Sequence, residues 1–126
     1  MTLLLDTHFV VWILTGAERL RRFPWIKNHQ PWGVSPVSLL EIQYLSEIGR
    51  IKLKEQFFEM LLNDKRFLVD EVPLLRMVRH ALNLSWTRDP FDRLLCAHSA
   101  SRRIPLCTTD QQIQSQHALI APELTA

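Results

Sequence analysis

Apolar residues fall along this chain in short runs, and the spacing within each run indicates the element it forms. Residues 2–6, TLLLD, are an unbroken apolar run closed by an acid, the pattern of a buried parallel strand whose carboxyl end is Asp6. HFVVWIL predicts a short helix ended by Gly16, and AERLRRF a second short helix closed by Pro24. A short strand is expected near Trp32 to Val34, and Pro36 suits the start of the next helix. From Val37 to Gly49 the apolar positions Val37, Leu40, Tyr44, Leu45 and Ile48 recur at helical spacing, with Gly49 as the stop.

The second half continues the alternation. KEQFFEMLLND reads as an amphipathic helix, RFLVDEV as a strand, and PLLRMVRHALNL as a helix with Pro73 in its first turn. The last long helix covers roughly Pro90 to Ser101, IPLCTTD is a short strand that again ends in an acid, QQIQSQ a helical turn and ALIAP a final short strand. Alternating strands and helices predict an α/β sandwich with a mostly parallel sheet. In that architecture sites form beyond the carboxyl ends of the strands.

Composition narrows the class. A length of 126 residues is expected to form one domain, residues 1–126, with a core that needs no disulfide or structural metal. With 47% hydrophobic and 22% charged residues the chain has a globular balance, and a net charge of +2 says less about partners than the placement of the charges. The apolar start lacks a basic leader and holds Asp6 and His8, so neither a signal peptide nor a membrane helix is expected. Cys96 and Cys107 lack the paired spacing of a zinc or redox motif and are expected to be buried thiols in a reducing cytoplasm.

The acids carry the candidate chemistry. Asp6 lies between two apolar runs, where a charge needs a partner; capping the next helix is its structural alternative. Glu41 lies one turn after Val37 and one turn before Leu45, beside Leu40 and Tyr44, so its carboxylate is expected to project from the apolar stripe toward the interior. There it must be paired, hydrogen-bonded or metal-bound, the plain alternative being a salt bridge to an arginine. In RDPFDRLL, Asp89, Pro90 and Asp92 fit the N-cap, first and N3 positions of a helix. Asp110 closes IPLC after two threonines and also suits a cap, and Thr108 would share its side of the strand and orient it through a hydroxyl. Glu47, Glu55 and Glu59 sit among polar neighbours and read as solvated charges. Two strand ends, one helix face and one helix start thus converge on the edge where an α/β site forms. Several carboxylates without nitrogen or sulfur suit a hard divalent ion such as Mg²⁺ or Mn²⁺.

Four segments in order, LLLDTHFVVWILTG, VSPVSLLEIQYLSEIGRI, RDPFDRLLCAHS and IPLCTTDQQI, resemble the PIN-domain nucleases, specifically the VapC-like toxins of toxin–antitoxin pairs. The resemblance implies a three-layer α/β/α sandwich with a parallel sheet, a Mg²⁺- or Mn²⁺-dependent endoribonuclease, a cognate antitoxin and a homodimer. It places Asp6 as the first acid, Glu41 as the second, Asp92 as the acid opening the late helix, and Asp110 as the fourth, in a Thr-x-Asp pattern with Thr108. Asp89 belongs to the DPFDR variant of the motif and is assigned mainly to capping. Leu40 stands where the family commonly has tryptophan, and Thr87 where it often has histidine; neither change removes a proposed ligand.

Other residues read more plainly. Arg88 and Arg93 are expected as ion pairs beside the acids, and Arg102 and Arg103 suit a helix end. Arg19, Arg21 and Arg22 are the densest basic cluster, read as a solvated face with an RNA-binding edge as the alternative. Trp25 and Trp32, beside prolines, are expected as the exposed tryptophans. Two rival functions share the acids: a PIN-like scaffold that binds RNA or protein without cutting, and a Mg²⁺-dependent phosphoacceptor domain. The second needs a late lysine, and the last lysine here is Lys65.

Overall fold

The computed structural model describes residues 1–125. Four strands, β1 (Leu4–Leu5), β2 (Trp32–Val34), β3 (Phe67–Val69) and β4 (Leu106–Cys107), form one all-parallel sheet in the order β3-β2-β1-β4. Among the described residues seven α-helices accompany them: α1 (Thr7–Thr15), α2 (Pro36–Glu47), α3 (Phe57–Asn63), α4 (Leu74–Ala81), α5 (Pro90–Arg102), α6 (Gln111–Gln116) and α7 (Pro122–Thr125).

Side chains that alternate along β1 separate two cores. Leu3 and Leu5 pack with Phe9, Val10 and Ile13 of α1, Ile42 of α2 and Leu61 of α3. Leu4 instead packs with Cys96 of α5, Leu106 and Ile113 of α6. Helices therefore cover both faces of the sheet, giving the three layers implied by the resemblance. A smaller cluster, Met77 and Ala81 against Ala97, seats α4 on α5. Cys96 and Cys107 are free and buried, and burial pushes the Cys96 thiol up to about 12. No helix among the described residues is long and apolar enough to cross a membrane.

Several expected elements change. Residues 18–22 form a 3₁₀ helix and a second one spans Pro24–His29, because Pro24 restarts a turn as readily as it closes one. ALIAP forms no strand; Ile120 makes a single parallel bridge to Leu106, and Pro122 starts α7. Trp32 is buried, with its indole N–H donating to the Ile26 carbonyl at 2.8 Å, and Trp25 is half-buried.

The largest difference concerns α2. Its buried face is Ser38, Ile42 and Leu45, while Leu40, Tyr44 and Ile48 are 65%, 48% and 48% exposed. The helix is rotated from the expected stripe because Ser38 finds a polar partner inside. Glu41 consequently lies half-buried at the edge of the core instead of deep within it.

Candidate active site

Sheet register assembles the site. Leu5 pairs with Val34 on one side and Cys107 on the other, and Val34 pairs with Val69. The residues that follow, Asp70, Ser35, Asp6 and Thr108, therefore stand in a row along the carboxyl edge. Asp6 caps α1, Ser35 caps α2 and Asp110 caps α6, so β1 and β2 pass directly into capped helices and β4 does so after a short turn.

Asp6, Glu41, Asp92 and Asp110 line one open cavity of about 680 Å³, with Asp89 at its wall. Asp6 is held on both oxygens: Oδ1 accepts the Thr7 N–H at 2.6 Å and Oδ2 accepts the Thr108 hydroxyl at 2.6 Å. Glu41 Oε1 accepts from the Thr7 hydroxyl, which also lies 3.1 Å from Ser38 Oγ. Asp110 Oδ1 accepts the Ile113 N–H at 3.0 Å, and the Asp110 N–H donates to Thr108 Oγ1 at 3.1 Å. Asp89 caps α5, Oδ1 accepting from the N–H groups of Phe91 and Asp92 at 2.8 and 3.3 Å. Capping and cavity-lining coexist, since a cap occupies one carboxylate edge and leaves the other open.

Burial and mutual repulsion govern the protons. Desolvation raises the carboxyl pKa of Asp6 and of Glu41, opposed by the hydroxyls of Thr108 and Thr7 respectively. Asp92 is pushed up to about 7, first by desolvation and then by the charges of Asp89, Asp6, Asp110 and Glu41. Thr7→Val is expected to leave the fold intact and move the Glu41 titration further upward, read from its carboxyl ¹³C shift. An unchanged titration would contradict the hydroxyl's role.

Among the described residues, none of these carboxylates takes part in an ion pair; the arginine salt bridge considered for Glu41 is absent. Arg93 is directed elsewhere, donating to the Thr87 carbonyl at 2.8 Å. Carboxylates lining one cavity without a cationic partner, with Asp6, Glu41 and Asp92 of raised pKa among them, are a donor set that a hard divalent cation fits. The oxygens are spread around the cavity wall, and no three Asp, Glu, His or Cys side chains among the described residues converge into a finished shell.

Thr7 escaped the sequence reading, although its place directly after Asp6 in LDT is the available signal. A second polar group also escaped it. Asp70 ends β3 as Asp6 ends β1, yet it is sequestered: Arg102 donates from Nη2 to Oδ1 at 2.6 Å and from Nε to Oδ2 at 2.8 Å. Fully buried His98 places Nε2 2.8 Å from Asp70 Oδ2 and Nδ1 2.9 Å from Ser35 Oγ. Since the carboxylate only accepts, Nε2 carries the proton and Nδ1 accepts from Ser35, whose oxygen in turn accepts the Val37 N–H at 3.2 Å. Arg102 holds the Asp70 carboxyl below its ordinary range, and burial keeps His98 neutral by lowering its pKa. Neither Ser35 nor His98 reaches the cavity, so this is a strut joining α5, β3 and the start of α2.

The PIN domain family model matches residues 3–118. No curated protein sequence matches significantly. Among solved structures, a toxin-antitoxin complex from Klebsiella pneumoniae is similar at a TM-score of 0.63 and 16% identity, over 94% of this chain and 96% of that one. VapBC2 from Rickettsia felis, bound to a DNA fragment from their promoter, is similar at 0.65 and 16% identity, over 95% of this chain and 96% of that one. At this identity the likeness is one of fold.

Proposed function

This chain belongs to the PIN-domain family, and from that premise we propose that it is a metal-dependent endoribonuclease and the toxin of a toxin–antitoxin pair. The observation carrying the reading is the cavity at the carboxyl edge, which Asp6, Glu41, Asp92 and Asp110 line together with no ion-pair partner among the described residues. Those four carboxylates would hold Mg²⁺ or Mn²⁺. When bound, such an ion lowers the pKa of water and offsets charge developing on a phosphoryl group during in-line displacement.

The protein's own contribution is orientation. Thr108 and the Thr7 N–H fix Asp6, and the Thr7 hydroxyl fixes Glu41 across the gap between α1 and α2. Asp89 sets the first turn of α5, which carries Asp92. Fixed ligands cost little reorganisation when the reaction proceeds. No side-chain nucleophile is required. The similar structures, a toxin-antitoxin complex and VapBC2, support an antitoxin partner. We place its inhibitory segment over the acidic groove, offering an arginine to the carboxylates, and expect a homodimer in the cytoplasm.

End-group analysis tests this chemistry. If water attacks phosphorus, the products carry no 2′,3′-cyclic phosphate, because the 2′-hydroxyl takes no part. Cyclic phosphate ends on RNA cut by the purified protein would contradict the proposed mechanism.

A further inference from the structure

A smaller cavity of about 280 Å³, lined by Trp12, Arg19, Arg22, Phe23 and Thr109, adjoins the acidic one. The two share Trp12, Arg19 and Thr109, so they form one continuous surface at the end of β4. Arg19 and Arg22 lie three apart in the 3₁₀ helix Glu18–Arg22, and at three residues per turn they share a face. Arg21, on another face, lines neither cavity. The guanidinium of Arg19 lies over the Trp12 ring, 5.5 Å from its centroid, while Trp12 and Phe23 stack with planes 3° apart. Neither arginine belongs to an ion pair among the described residues.

We propose that Arg19, seated on Trp12, and Arg22 form a phosphate-binding subsite that holds an RNA strand beside the acidic centre, an inference that rests on the nuclease reading. A cavity walled by carboxylates repels phosphates, so a strand approaching it needs fixed cations at the rim. Two arginines on one face supply them, Arg19 lining both cavities and Arg22 the smaller one. The planar guanidinium matches phosphate oxygens with paired N–H donors. Stacking on indole holds that plane in place before the strand arrives. The 3₁₀ helix thus acts as a positive lip feeding the negative centre.

Binding in EDTA, where the strand is not cut, separates this subsite from catalysis. The probe is a fluorescent, unstructured oligoribonucleotide of about 12 nucleotides read by anisotropy. Arg19→Ala/Arg22→Ala is expected to weaken binding about tenfold and to flatten the slope of log affinity against log salt by about 1.4, about 0.7 per lost contact. Arg76→Ala/Arg79→Ala removes the same charge from α4, away from both cavities, and should leave affinity and slope nearly unchanged. Equal loss in both double variants, or none in the first, overturns the subsite while leaving the nuclease reading standing. No binding by the unsubstituted protein likewise overturns the subsite, whereas the nuclease reading falls only if the protein fails to cut RNA with Mg²⁺ or Mn²⁺ present.

Discussion

Asp92→Asn is expected to melt higher than the parent at about pH 8 and to cut RNA at least 100-fold more slowly, since even outer partners of a metal ligand cost about 10- to 100-fold. Without metal, the parent must hold Asp92 ionised against burial and four neighbouring carboxylates. Its pKa of about 7 in the fold lies above the ordinary 3.8, so its contribution to stability is fully present below the ordinary pKa and lost as pH rises through about 7. Discounting for the solvent that reaches this half-buried group, the amide relieves about 1 kcal/mol at about pH 8. That corresponds to a few degrees of melting temperature, and the advantage should vanish on acidification. Asp89→Ser keeps an N-cap and should retain stability to within about 0.5 kcal/mol and most of the activity. Equal loss of activity in the two variants would show Asp89 to be a working member of the centre.

Asp70→Ala should be the most destabilising single change at the carboxyl edge. It strands the proton on buried His98 Nε2, which costs about 1–3 kcal/mol, or a melting temperature lower by roughly 5–10 °C. Arg102 is exposed and returns to solvent. Because the pKa of Asp70 is lowered by Arg102 and His98, this stabilisation is present above the ordinary carboxylate range and lost as pH falls below it. His98 is buried in both proteins, so its own uptake of a proton on unfolding weakens each of them on acidification and the difference between them follows Asp70. Parent and variant should therefore converge on acidification, followed by thermal melts across pH. A parallel offset at every pH would contradict the ionic role.

The parallel sheet and its acidic edge were legible because TLLLD and IPLCTTD are apolar runs that each end in an acid. The same signature occurs in FLVD, yet Asp70 is consumed by Arg102 and His98, partners distant in sequence. A strand-end acid therefore locates the edge but not the active cavity. The inward face of α2 was illegible for a related reason. Ser38 and Thr7 satisfy each other, which allows polar residues inside and leaves Leu40, Tyr44 and Ile48 outside. Thr108 was rightly singled out as an orienting hydroxyl, although the carboxylate it holds is that of Asp6, across the β1–β4 pairing. The basic cluster at Arg19 to Arg22 gained meaning only when the 3₁₀ turn put Arg19 in the acidic cavity and Arg22 in the one adjoining it.

Cleavage of RNA by the purified protein, followed with Mg²⁺ or Mn²⁺, with excess EDTA, and with Asp6→Asn, tests the central claim most directly. The acidic centre predicts cutting that requires the divalent ion, stops in EDTA, returns when the ion is restored, and is lost in Asp6→Asn while the variant stays folded. Cutting that survives both EDTA and Asp6→Asn would contradict it.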